Sequence, residues 1–131
     1  MPRALAEVRR VLKPGGRIRF IDIAGDDDPL VDTHIQAIEL LRDASHIRDY
    51  RADECISMLD TAGFDAKVVE RWRIALEFQS WVSRMRTSEE GVVAIRAMWA
   101  GAPDEVQQYF AVGRDCSFEL DALMIQGALR G

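Results

Sequence analysis

An α/β fold is predicted for this 131-residue chain from three features of its pattern. Three segments carry β-branched or alternating apolar residues, six segments between and around them carry helical spacing, and the first strand has apolar residues on both faces. That last feature is expected of a strand covered on both sides. The length fits one domain, and a free-standing chain of this size buries about two-thirds of its unfolded surface, enough for a real core.

Residues 3 to 12 set Leu5, Val8 and Leu12 on one helical face. Lys13-Pro14-Gly15-Gly16 stops that helix with a cation at its carbonyl end and two residues able to take positive φ. Arg17 to Ile23 then reads as the first strand. In Gly25-Asp26-Asp27-Asp28-Pro29, Asp28 is placed to cap a helix and Pro29 to occupy its first turn, the helix running to about Arg42. Residues 43 to 50 are polar and irregular. Asp53 and Glu54 favour the positive end of the next helix, whose inward residues are Ile56, Leu59 and Ala62, with Gly63 as its C-terminal cap. Val68 to Ile74 reads as the second strand. A short helix from Glu77 to Arg84 follows, and Thr87-Ser88-Glu89-Glu90 matches a capping box that opens another. Pro103 opens a third. From Cys116 to Ala122 the chain alternates, then shifts phase into Leu123 and Ile125: a third strand with a bulge expected near Asp121 or Ala122.

Composition narrows the function classes. The chain is 48% apolar and 30% charged, as an ordinary globular domain is. A net charge of -5 argues against nucleic acid as a partner, despite the local cluster of Arg3, Arg9, Arg10, Lys13, Arg17 and Arg19. No run approaches the ~20 apolar residues of a membrane span, and no apolar signal core opens the chain, so no membrane partner and a cytoplasmic address are expected. Cys55 and Cys116 have neither metal spacing nor a disulfide framework, and both read as buried reduced thiols. Asp26-Asp27-Asp28 is too local to converge on one ion, and no metal site is expected. His34 has no partner four residues away on its helix.

The run Ala6-Glu7-Val8-Arg9-Arg10-Val11-Leu12-Lys13-Pro14-Gly15-Gly16-Arg17, leading to Ile21-Asp22, resembles the late-domain signature of class I S-adenosylmethionine-dependent methyltransferases. Leu40 to Arg48 is similar to a segment of the branch related to the ubiquinone and menaquinone biosynthesis enzymes, with Ala44 where that branch has proline. Trp72, Phe78, Trp81 and the closing Ile125-Gln126-Gly127 also resemble it, so the likeness covers nearly the whole chain. The resemblance implies a partial Rossmann-like sheet in which residues 17–23, 66–74 and 116–125 are strands five, six and seven. Their spatial order would be five, seven, six, with the last strand central and antiparallel. Residues 1–131 would be the C-terminal half of that domain, and the helical insertions 27–50 and 76–113 would form a lid on the acceptor side.

A methyl donor of this kind needs a Gly-rich turn after a strand, and an acidic residue beyond the next strand for its ribose. Here Gly15-Gly16 follows a helix instead, and the strands that build the donor pocket in the family would lie upstream of Met1. S-adenosylmethionine is therefore expected as cofactor of the full-length family but not bound to this chain. His46 and Arg48 are candidate acceptor-orienting groups, or His46 a proton acceptor, set against a plain capping cluster with Asp43 and Asp49. Trp72, Phe78 and Trp81 are candidates to pave an apolar acceptor site, set against simple core packing. Catalytic residues are not assigned. Without strand four, residues 17–23 would expose an unpaired edge, so a homodimer through that edge is expected. The alternative to an enzyme is thus a non-catalytic module that associates with itself or with a complementary half.

Overall fold

A computed structural model describes all residues 1–131. The elements run α1 (Pro2–Val11), β1 (Arg17–Ile23), α2 (Pro29–Arg42), α3 (Ala52–Thr61), β2 (Phe64–Leu76), α4 (Phe78–Arg84), α5 (Glu89–Gly101), α6 (Asp104–Tyr109) and β3 (Phe118–Leu129). The three strands form one sheet in the order β1-β3-β2. β3 is central and pairs antiparallel with β1 from Arg17↔Ala128 to Ile23↔Ala122. The α/β class and the order five, seven, six are both present.

Boundaries differ from expectation in ways the local chemistry explains. β3 begins at Phe118 rather than 116, because Gly113 N–H donates to Ser117 O at 2.8 Å and Cys116 sits at φ 67. That turn holds Cys116 half-buried, so only Cys55 is a buried thiol. β3 runs on to Leu129 because the start of β1 needs partners as far as Ala128. The ladder is continuous from Ala122 onward, so Ala122 itself carries no bulge against β1. β2 likewise extends two residues beyond 66–74 at each end.

The helix caps follow the sequence closely. Asp28 accepts from Leu30 N, and Glu77 accepts from both Gln79 N and Ser80 N. α5 departs by one position: Ser88 is the cap, accepting from Gly91 N at 3.1 Å, because Thr87 spends its hydroxyl on Arg42 O at 2.9 Å. His34 does find a partner four residues back, in the Leu30 carbonyl at 2.8 Å from Nδ1. Gly63 ends the α3 turn at φ 93, and a Cβ there would stand 2.6 Å from Arg9 Nη1. The positive φ is what favours glycine, since the Arg9 guanidinium ends a flexible side chain and can move aside.

The residues form two compact units. One comprises Met1–Ala24, Tyr50–Trp72 and Ala122–Gly131. Its core is Leu5 of α1, Cys55 and Leu59 of α3, Phe64 of β2, and Leu123 and Ile125 of β3, with Ile18 and Phe20 of β1 packed against it. The other comprises Gly25–Asp49 and Arg73–Asp121. In it α2 packs on α5 and α6, around a chain of rings in which Trp81 meets Phe118 at 4.9 Å, Phe118 meets Trp99 at 5.1 Å and Trp99 meets Phe110 at 5.3 Å.

Candidate functional site

The second unit holds three polar clusters, each built on α2 or on the ends of β2 and β3. The first gathers the irregular segment 43–49 onto α2. Asp43 Oδ1 accepts from both N and Oγ of Ser45, which turns the chain back. His46 Nε2 then lies 3.0 Å from Gln36 Oε1, and Arg48 Nη2 lies 3.2 Å from Asp32 Oδ2. Gln36 is the hub: its Nε2 donates to Asp32 Oδ1 and to Asp49 O, while its Oε1 accepts from Asp49 N. The two sequence candidates His46 and Arg48 are thus brought together along one turn of α2. Both are half-buried, with Ile47 exposed between them.

The second cluster is Glu39, Arg42 and Trp81. Arg42 Nε donates to Trp81 O at 3.0 Å, its guanidinium stacks 4.5 Å from the indole centroid, and Nη1 lies 3.3 Å from Glu39 Oε2. Burial pushes the Glu39 carboxyl up, while Arg42 and His46 hold it back. Trp81 and Phe78 are 2% and 1% exposed, their rings 6.3 Å apart. They are packed side chains, whereas Trp72 of β2, in the first unit, is half-buried.

The third cluster was not anticipated. Tyr109 Oη lies 2.6 Å from Asp26 Oδ2 and donates as well towards Asp121 Oδ2 at a shorter separation. Arg73 stacks on the Tyr109 ring and reaches Tyr109 O, Glu119 at 3.2 Å and Asp121 at 3.3 Å. Burial, then hydrogen bonding to Asp121 and Asp26, then their charge, push the phenol well above its ordinary range. Asp26 follows β1 by three residues, and Asp121 precedes Ala122, the partner of Ile23. In sequence, Asp26 reads as part of a cap loop, Tyr109 as a helix face and Asp121 as one beat of an alternation. No local spacing links residues 83 positions apart.

An open apolar hollow of about 320 Å³ lies in the first unit between α1 and α3, lined by Leu5, Ala6, Met58 and Ala62, with Arg9 the one charged side chain. It offers little chemistry beside the clusters above. No group of three or more His, Cys, Asp or Glu side chains is arranged to hold a metal ion. The strand-to-helix connections here, residues 24–28 and Glu77, are not Gly-x-Gly turns. These residues do not fit a nucleotide cradle.

No protein-family model matches the chain. It is 41% identical over 122 residues to YafE of Escherichia coli K12, an uncharacterized protein, covering 93% of this chain and 59% of YafE. It is 30% identical over 133 residues to YcgJ of Bacillus subtilis 168, an uncharacterized methyltransferase, covering 98% of this chain and 53% of YcgJ. The crystal structure of YcgJ matches with a TM-score of 0.89 at 29% identity, over 99% of this chain and 58% of that one. BH2331 of Bacillus halodurans C-125, a methyltransferase by provisional assignment, matches with a TM-score of 0.89 at 24% identity, over 99% of this chain and 63% of that one. The chain has a methyltransferase fold. It spans a little over half the length of the curated relatives it matches.

Proposed function

We propose that this chain is the acceptor-side, C-terminal half of a class I S-adenosylmethionine-dependent methyltransferase of small-molecule type. The observation that carries the reading is the match over 99% of this chain to 58% of YcgJ at a TM-score of 0.89. Methyl transfer from a sulfonium is a direct displacement, in which the protein's main work is to hold donor and acceptor in line. On this reading the donor is held by the part of the relatives' length that this chain does not span. The helices within 27–50 and 76–113 cover the acceptor. His46 and Arg48 orient a polar or acidic group of the acceptor from their frame on α2. Phe78 and Trp81 back the cover from within. The ubiquinone-type branch is the family part of the same proposal, resting on Leu40 to Arg48.

A chimera tests this: YcgJ with its matching region replaced by residues 1–131. Transfer of a radiolabelled methyl group from S-adenosylmethionine to the small-molecule fraction of a cell extract is the expected result. A folded chimera that binds the donor yet labels nothing would sink it. Calorimetric titration of the 131-residue chain with S-adenosylmethionine should show no heat at millimolar ligand, and micromolar binding would overturn the assignment of the donor site to other residues.

One observation favours a second reading, a self-associating module. β1 has a strand neighbour on one side only, and Ile21 in it is 57% exposed. A free strand edge with an apolar flank is an association surface, and a homodimer through residues 17–23 would pair two such edges. Sedimentation equilibrium at micromolar concentration is expected to give the dimer; a monomer removes this reading.

A further inference from the structure

Three of the four groups around the Gln36 amide have only one hydrogen-bonding role. The Asp49 backbone N–H must donate, and it lies 3.0 Å from Oε1. The Asp49 carbonyl and the Asp32 carboxylate must accept, and they lie 2.9 Å and 3.1 Å from Nε2. Turning the amide over would set like against like at all three, so the neighbours fix its orientation. The fourth group, His46 Nε2, stands 3.0 Å from Oε1. An amide oxygen only accepts, so that ring nitrogen carries the hydrogen. A neutral imidazole has one N–H, which leaves Nδ1 as a lone pair. We propose that Gln36 is a positioning residue that locks His46 in the Nε2–H tautomer. Nδ1 is then the hydrogen acceptor that this cluster presents to a ligand carrying a hydroxyl, phenolic or amino group.

The hydrogen count closes in this arrangement. Both hydrogens of Gln36 Nε2 and both lone pairs of Oε1 are used, with none left over. The ring is also held from its own backbone, since His46 N–H donates to Asp43 O at 2.9 Å. The segment is therefore tied to α2 through Asp49 and closed on itself through Asp43, and the ring is in place before a ligand arrives. Ordering it is not charged to binding. Nδ1 enters none of these bonds. Arg48, beside it, has donors only and pairs with Asp32 at 3.2 Å. The two sequence candidates thus make opposite demands: Arg48 seeks a lone pair and His46 Nδ1 a hydrogen. An analogue lacking that hydrogen leaves Nδ1 unmatched, which is how a polar site discriminates. The tautomer needs only this chain, and its use on a methyl acceptor rests on the reading proposed above.

Ring-nitrogen NMR of the isotope-labelled full chain in mildly alkaline solution reads the tautomer. Nε2 is expected to carry a proton that exchanges slowly enough with solvent to be seen, and Nδ1 to resonate as an unprotonated ring nitrogen. In Gln36→Leu the N–H signal should vanish and both tautomers should appear. A proton on Nδ1 in the wild type, or ring signals unchanged by Gln36→Leu, overturns the proposal; the first of these needs no variant to fold. Phenol and anisole, of which only phenol has a hydroxyl hydrogen, then probe the ligand role. Phenol should move the Nδ1 resonance upfield. The preference for phenol over anisole should be about fivefold larger in the wild type than in His46→Leu, the worth of one net hydrogen bond. A preference that His46→Leu leaves unchanged, or an Nδ1 signal that phenol leaves in place, also overturns it. A YcgJ chimera that transfers no methyl group would sink the methyltransferase reading alone, since neither the ring spectra nor the phenol comparison involves a methyl donor.

Discussion

The two units are held together by different chemistry. The unit of Met1–Ala24, Tyr50–Trp72 and Ala122–Gly131 is filled by aliphatic side chains, Cys55 and Phe64. Its charged groups stay outside, as in Arg9 on Ala62 O and Arg130 on Asp60. The unit of Gly25–Asp49 and Arg73–Asp121 has an aromatic core and encloses charge at Glu39, paired with Arg42, while Tyr109 sits half-buried beside Asp26, Asp121 and the exposed Arg73. Enclosed charge is a poor source of stability, because desolvation offsets most of the attraction. It is common where a chain must hold or orient polar groups. Packing accounts for the core of the first unit, and the candidate residues His46 and Arg48 lie in the second.

The contrast breaks most visibly at Trp81. Trp81→Ala removes a buried ring that Phe118 meets edge-on and that Arg42 stacks on, and it should cost about 3–5 kcal/mol in urea unfolding. Leu59→Ala, in the aliphatic core, should cost about 2–5 kcal/mol and leave the slope of unfolding unchanged. A Trp81→Ala loss near zero would mean that the aromatic core carries no stability.

Thiol chemistry sharpens the comparison next. Burial first, then Asp22, Glu54 and Asp53, push the Cys55 thiol up to about 11 from 9.0. That is roughly a hundredfold less thiolate at neutral pH. Cys116, half-buried in its turn, should react with a thiol reagent in the native protein, and Cys55 only after urea is added. Two thiols titrating at one native rate would contradict the close packing of the first unit.

Glu39 gives the third test, at the second unit's enclosed charge. Its carboxyl is raised above 4.5 in the folded chain, with burial the leading cause. Below 4.5 both folded and unfolded forms are protonated and the group is neutral in stability. As pH rises through the folded value, the unfolded chain has already ionised and the fold pays a penalty. Glu39→Gln removes it, so the wild type should lose urea midpoint relative to Glu39→Gln across that window. Identical pH profiles would mean that Arg42 compensates Glu39 in full.

The first unit was the more legible of the two in sequence. β-branched residues after Gly15-Gly16 locate β1, and the Gly63 cap locates the end of α3, because these signals are local. The central place of β3 came only with the family resemblance: an antiparallel last strand between its neighbours has no spacing signature. In the second unit Asp28, Glu77 and Pro103 placed the helices, yet the polar clusters stayed hidden. His46 and Arg48 could be singled out, but their hub Gln36 could not, since its partners lie on a segment with no periodicity. Tyr109, Asp26 and Asp121 meet only once β3 is placed beside β1. Local rules read elements well, and enclosed charge depends on the contacts between them.

The smallest expected effect lies at the start of α5, where sequence and structure differ by one residue. The pattern Thr87-x-x-Glu90 makes Thr87 the cap, whereas in the structure Ser88 accepts from Gly91 N–H and Thr87 donates to Arg42 O. Ser88→Ala should therefore cost about 1 kcal/mol, the usual worth of an N-cap. Thr87→Ala should cost a similar or smaller amount, since a side-chain to backbone hydrogen bond contributes about 1 kcal/mol net. The two are told apart by coupling. Thr87→Ala should be non-additive with Arg42→Ala, because its partner carbonyl belongs to the α2 end that Arg42 anchors to Trp81. Ser88→Ala should be additive with it. The reverse result in double-mutant cycles would return the cap to Thr87 and detach α5 from the charge enclosed beneath α2.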